Sequence, residues 1–254
     1  MLRPRLAGFE GIGDNLNAKI IIGVPGLWAT RTDIVTSIAL RSGGFLFAGL
    51  VLMDRATQQG FKLEIYDHDP QLHEAFRIAG GGRISDADIA AIAQHRHTLY
   101  CLSTGVSLEA ARQMLRVGVG LLDAGGLAVK IESSGVAHSP THWRKLAASE
   151  HLFDLYTAFV TLIGGRDCFY SCGMHAFGLP DSAVSRDLDA QAAAQLLNVF
   201  NHYLVAERPS LADGHTFSVA AGAPRFRLRM TTSDTYKPEH AFHNPFGIWS
   251  LTRA

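Results

Sequence analysis

Residues able to do chemistry concentrate in two polar segments of this chain. The first is Glu132-Ser133-Ser134-Gly135-Val136-Ala137-His138-Ser139-Pro140-Thr141-His142. It leaves an apolar stretch read as a strand and enters a helix starting at Pro140. At such exits, free backbone N–H groups and polar side chains gather around ligands. Glu132 can serve as a base or an oxygen ligand, and His138 and His142 can hold a divalent metal. The two histidines are four apart, but a helix that begins at Pro140 does not carry both on one face. The same residues also have a plain structural use, in which Ser139 caps the helix, His138 bonds a backbone carbonyl and Trp143 packs. Ser133, Ser134, Ser139 and Trp143 are the candidate binding contacts.

The second segment is Tyr170-Ser171-Cys172-Gly173-Met174-His175-Ala176-Phe177-Gly178-Leu179-Pro180-Asp181. Cys172 beside His175 offers the thiol and imidazole of nucleophilic catalysis, where only the thiolate attacks. Against that use, catalytic pairs usually meet from distant segments. Cys168 and Cys172, four apart on a strand, share one face and read as small buried apolar groups. The candidate catalytic set is therefore Glu132, His138, Cys172 and His175, and the candidate metal set is His138, His142 and Asp181. Both depend on the two segments converging.

Lesser candidates have simpler explanations. Asp67-His68-Asp69-Pro70 could hold a cation, or form an Asp turn that feeds a proline-started helix. His95-Arg96-His97 straddles a helix end, where a cation complements the dipole. Glu239, His240 and His243 resemble a metal site by type only, in a loop flanked by Pro238 and Pro245. Gly80-Gly81-Gly82-Arg83 lacks the Lys-Ser/Thr ending of a phosphate loop. No dinucleotide fingerprint, Walker motif, nucleophile elbow or Cys-x-x-Cys pair is present.

The elements that must position these segments follow from hydrophobic spacing. Residues 19–24 read as a strand, 30–42 as a helix capped by Thr30 or Thr32, and 45–53 as a buried strand after Gly43-Gly44. Residues 61–66 alternate Phe61, Leu63 and Ile65 with Lys62 and Glu64, the pattern of a strand with one wet face, paired antiparallel with its predecessor. A short helix from Pro70 to Ile78, a helix from Ser85 to Gln94 and a strand over 97–103 complete a β-α-β-β-α-β order, the split βαβ arrangement of ferredoxin-like folds. Strand, helix, Gly-Gly and strand then recur over 97–132, a candidate internal duplication. Further on, the pattern predicts a helix over 141–148, a hairpin of 155–163 with 168–173 and a helix over 188–206. A hairpin of 215–220 with 226–231 follows, then a polar tail or clasp over 232–245 and an edge strand over 246–251.

Composition bounds the class. The chain has 254 residues, 47% hydrophobic and 18% charged, enough apolar material for a core and too little charge for disorder. Lys plus Arg number 23 and Asp plus Glu 23, so no net field attracts phosphate backbones, and nucleic acid is not an expected partner. Three cysteines suit a reducing compartment. Residues 1–10 carry two arginines without a following apolar run, and the longest apolar runs, 20–28 and 45–53, are about half a bilayer-spanning length. The expectation is a cytoplasmic protein with no membrane segment.

The strand end Ala128-Val129-Lys130-Ile131-Glu132-Ser133-Ser134-Gly135, with His138-Ser139-Pro140, Trp143, Tyr156-Thr157-Ala158-Phe159-Val160, Tyr170-Ser171-Cys172-Gly173-Met174 and Phe177-Gly178-Leu179-Pro180-Asp181, resembles a bacterial family of uncharacterised domains. The resemblance covers the second half of the chain. It implies a gene neighbourhood of secretion or toxin-immunity loci, and carries no catalytic residues over.

These readings combine into an α+β chain, helices on mixed, partly antiparallel sheets, in one compact domain or two packed halves (17–103 and 97–254). The expected role is a binding or immunity-type module with a protein partner. The alternative is a hydrolase or metal-assisted enzyme whose cleft joins segments 132–142 and 170–181. A module should expose a patch, and an enzyme should enclose titratable groups.

Overall fold

The computed structural model describes residues 18–232 and 236–254. Residues 1–10, read above as lacking a leader, and residues 233–235 of the tail lie outside the described part.

Strand β1 (Ile21–Gly26) leads into helix α1 (Arg31–Arg41). Thr30 caps α1 reciprocally: its hydroxyl accepts from the Asp33 N–H, and the Asp33 carboxylate accepts from the Thr30 N–H. The apolar run 45–53, expected as one strand, is instead a hairpin of β2 (Phe45–Ala48) and β3 (Val51–Asp54). Gly49, at φ 60, supplies the left-handed residue that a two-residue connection needs. Strand β4 (Gln59–Asp67) pairs antiparallel with β3 as expected, with Phe61 and Leu63 inside and Lys62 and Glu64 half-buried on the other face.

Helices α2 (Leu72–Gly80) and α3 (Asp86–Ala93) follow, α3 capped by Ser85. Then come β5 (His97–Leu102), helix α4 (Leu108–Asp123) capped by Ser107, and β6 (Val129–Ile131). A short strand not expected from the sequence, β7 (Val136–His138), pairs back on β6 before α5 (Pro140–Ala148), which Ser139 caps. The stretch 155–163 was expected as a strand. Its first part belongs to α6 (Leu152–Phe159), and only β8 (Thr161–Gly164) pairs with β9 (Cys168–Cys172). A single 3-10 turn, Met174–Phe177, joins β9 to β10 (Asp181–Ser185). Helix α7 (Ala190–Glu207), capped by Asp189, precedes β11 (Thr216–Phe217), β12 (Phe226–Thr231) and β13 (Ile248–Arg253).

The first sheet has the order β2-β3-β4-β5-β1-β6-β7, with antiparallel neighbours throughout. The split βαβ arrangement is realised at β5-α4-β6, where β1 lies between two strands of equal direction. The earlier unit, β1-α1-β2, also links strands of equal direction, but β5, β4 and β3 stand between them, so the first four-strand group departs from the ferredoxin order. The second sheet, β11-β12-β13-β10-β9-β8, is mixed because β10 and β13 run parallel. Strand β13 is therefore interior, not the expected edge strand.

One hydrophobic cluster runs through both sheets. It holds Ile22, Val24, Leu63 and Leu99 from the first and Val184, Leu228 and Leu251 from the second, with α1, α4, α6 and α7 contributing Ile38, Met114, Phe159 and Phe200. The outer face of the first sheet is covered at its β6–β7 side by Leu72 and Phe76 of α2 and Ile89 and Ile92 of α3, packed on Ala128 and Ala137. Among the described residues no helix is long and apolar enough to cross a membrane.

Candidate functional site

The two polar segments meet. Residues 132–135 form the turn between β6 and β7, closed by the Gly135 N–H on the Ile131 carbonyl at 2.8 Å and tied to β1 by the Glu132 N–H on the Ile21 carbonyl at 2.8 Å. The end of β9 lies against this turn. A Cβ on Gly173 would stand 3.0 Å from the Ser134 Cβ and would overlap the Phe159 carbonyl. With φ at 121, Gly173 is both the conformation and the clearance that this approach requires. On the other side the Phe242 ring would come within 2.7 Å of a Cβ on Gly135, so the stretch that carries Phe242 covers the turn as a clasp.

Hydrogen-bond accounting marks this seam. Buried side-chain atoms without a partner, among the described residues, are Thr98 Oγ1, Glu132 Oε1, Ser133 Oγ, Ser134 Oγ and His175 Nδ1. Four of the five belong to the two segments picked out by residue type. Buried polar atoms are ordinarily paired, since an unmade bond costs about 1–3 kcal/mol. The other carboxylate oxygen of Glu132 pairs with Lys130 Nζ.

Asp181 organises the floor of the seam. It is buried at the start of β10 and accepts from the Ser171 hydroxyl at 3.0 Å, the Met174 N–H at 3.2 Å and Asn244 Nδ2 at 2.7 Å. Burial pushes its pKa up to about 6, and these hydrogen bonds oppose the rise. The Ser171 hydroxyl accepts from the Ser182 N–H at 2.9 Å, the Ser182 hydroxyl donates to Asn201 Oδ1 at 2.6 Å, and Asn201 Nδ2 donates to the Tyr156 hydroxyl at 3.3 Å. Asn244 also donates to the Leu179 carbonyl at 3.0 Å, so one amide pins the clasp to the second segment. Nothing in residue spacing singles out Asn244 or Asn201; register and chain return bring them there.

The first histidine pair has the structural role. His138 Nε2–H donates to the Ala158 carbonyl at 2.9 Å, and its Nδ1 lies 3.2 Å from His142 Nδ1. Burial lowers the His138 pKa to about 4, so the ring is neutral and its Nδ1 accepts from His142. Ser139 Oγ accepts from the His142 N–H at 3.3 Å, and the fully buried Trp143 donates to the Leu115 carbonyl at 3.1 Å. Asp181 stays with Ser171, Met174 and Asn244. Among the described residues no three His, Cys, Asp or Glu side chains form a metal-binding group, so His138, His142 and Asp181 are not brought together as one.

Cys172 and His175 do not make an activated pair. Burial, and then the Asp181 carboxylate, raise the Cys172 pKa well above the ordinary thiol value, while burial, and then His243, lower that of His175 to about 4. A thiolate–imidazolium couple needs both shifts in the opposite sense. Alkylation by iodoacetamide under native conditions, read by peptide mass spectrometry, is expected to modify the half-buried Cys168 while sparing Cys172 and Cys101. Rapid modification of Cys172 would restore the nucleophile reading.

The lesser motifs also close on themselves. His68 Nδ1–H donates to the His95 carbonyl at 2.7 Å, His95 Nε2 accepts from the Asp69 N–H at 3.1 Å, and Asp69 Oδ1 accepts from the Gln71 N–H at 2.8 Å, an Asp turn at the start of α2. His240 stacks on Tyr236 at 4.7 Å and its Nδ1 accepts from the Phe242 N–H at 3.1 Å. A separate apolar cleft of about 310 Å³ lies between the end of α7 and the second sheet, lined by Leu179, Leu204, Leu211, Met230 and Trp249 with Arg208 at its rim. It holds none of the candidate groups named above.

Residues 170–242 match a family described as a domain of unknown function (DUF4261). The match begins at Tyr170 in the second polar segment and ends at Phe242 in the clasp, and agrees with the resemblance to an uncharacterised domain family. No curated protein and no solved structure matches the chain.

Proposed function

With a domain of unknown function across its second polar segment and clasp as the premise, we propose that this chain is a binding module. Its ligand places a polar group in the seam between the 132–135 turn and the Met174–Phe177 turn. The observation that carries this reading is that Ser133, Ser134 and His175 each carry a buried, unpartnered polar atom on two turns whose chains touch at Ser134 and Gly173. Two hydroxyls and one imidazole nitrogen offer both donors and acceptors, and suit a neutral or zwitterionic polar group better than a bare ion. The protonated Cys172 thiol and the neutral His175 leave the seam without a nucleophile–base couple, which favours binding over hydrolysis. An immunity-type role would have a protein partner present the polar group from its own surface.

Native mass spectrometry of the purified chain tests the reading. The expected result is an adduct of defined mass, small or macromolecular, that is lost in Ser134→Val while the variant stays folded by circular dichroism. A bare chain mass, together with ordered waters satisfying all three atoms in a high-resolution crystal structure, would overturn it.

A further inference from the structure

The unpartnered atoms of Ser133, Ser134 and His175 are sealed from solvent. A group from outside reaches them only if part of their cover moves. Residues 236–247, the clasp, lie on both turns. The Phe242 ring stands over Gly135 of the first turn, and Asn244 bonds the Leu179 carbonyl and Asp181 beyond the second. The His175 pKa is lowered by burial and then by His243, which therefore stands close to it.

The clasp is attached differently from the strands at its ends. Among the described residues, the backbone of 236–246 bonds only within 236–247, as in the His240 N–H on the Lys237 carbonyl and the His243 N–H on the His240 carbonyl, both at 2.9 Å. Tyr236, His240 and Phe242 pack on one another, with ring centroids 4.7, 5.4 and 5.0 Å apart. Two side chains of 236–246 carry its hydrogen bonds to the rest of the described chain, the Tyr236 hydroxyl with the Tyr170 hydroxyl at 3.0 Å and Asn244 Nδ2. Asn244 is also the one buried residue of the clasp. Strands β12 and β13, by contrast, pair along their whole length, from Phe226 with Arg253 to Thr231 with Ile248. A segment with its own local bonds and two anchors opens more readily than the sheet on which it lies.

We infer that the clasp is a lid, which opens as a unit while both sheets stay folded and admits ligand to the seam, with Asn244 as its latch. Its use for ligand entry rests on the seam reading; the opening does not. Cys172 reports that opening. Tyr170 and Cys172 lie two apart on one face of β9, and Tyr170 meets the clasp through Tyr236. Burial raises the Tyr236 pKa and the nearby Cys172 sulfur adds to the rise, so the thiol lies close to the clasp. Cys101, buried in β5 of the other sheet, reports unfolding of the whole chain.

Extended labelling with iodoacetamide, at urea concentrations below the unfolding transition and read by peptide mass spectrometry, tests the lid without any ligand. Cys172 is expected to react faster than Cys101 and with a shallower dependence on urea, because an opened clasp exposes less surface than an unfolded chain. Asn244→Ala is expected to raise the Cys172 rate by about tenfold or more at the same shallow slope, since a hydrogen bond to a charged group is lost. Phe242→Ala leaves the Asp181 bonds intact and should act in the same direction. One urea slope shared by Cys172 and Cys101, or a Cys172 rate that neither variant changes, would overturn the lid. A bare chain mass would overturn the seam reading and leave these rates as they are, so the two failures are told apart.

Discussion

Replacing Asp181 by alanine is expected to lower the unfolding free energy by about 3–5 kcal/mol, measured by urea denaturation at pH 7. The Ser171 hydroxyl, the Met174 N–H and Asn244 Nδ2 all end on this carboxylate where water does not reach. The Ser171 hydroxyl, the Met174 N–H and one of the two amide hydrogens of Asn244 would be left without an acceptor, and the clasp would be held by Asn244 through the Leu179 carbonyl alone. Asp181→Asn keeps one acceptor oxygen but turns an amide toward donors, so about half of that loss is expected. A loss below about 1 kcal/mol in the alanine variant would mean that water replaces the carboxylate and that the network is not the frame of the seam.

Acid should destabilise the protein before its ordinary carboxylates titrate. His138 and His175 have folded pKa values of about 4, below the 6.5 of a free imidazole. Their stabilisation is complete above pH 6.5 and is lost as the pH falls through 4. Asp181 works the other way: its folded value of about 6 exceeds 3.8, so its contribution is present below that lower value and lost as the pH rises through 6. Two histidines outweigh one aspartate, leaving a net loss on the order of 3 kcal/mol between pH 6.5 and 4. In Asp181→Asn the offset disappears and the acid limb should steepen. Denaturation midpoints flat or rising from pH 6.5 to 4 would contradict this assignment.

Helix starts were the most legible part of the fold. Ser139 caps α5 as expected, Ser85 caps the helix expected to begin there, and Thr30, one of the two threonines weighed for α1, caps it, because capping is local chemistry between residues two to three apart. Pairing was less legible. Residues 45–53 and 155–163 are apolar runs whose period does not separate a strand from a hairpin or a helix, and tertiary packing decided both. The short β7 hides in a stretch whose polar density advertised a loop. The seam was half visible: Ser133, Ser134 and His175 stood out by type, but Phe242 over Gly135 and Asn244 on Asp181 come from a chain return that no local pattern encodes.

The position of β13 constrains the order of events during synthesis. Residues 248–253 fill the gap between β10 and β12, which are made earlier. Until that strand emerges from the ribosome, two facing rows of backbone donors and acceptors stay open, and a stalled nascent chain would offer them to any other polypeptide. Ribosome-bound intermediates halted before residue 248 should therefore recruit holdase chaperones that the released protein no longer needs.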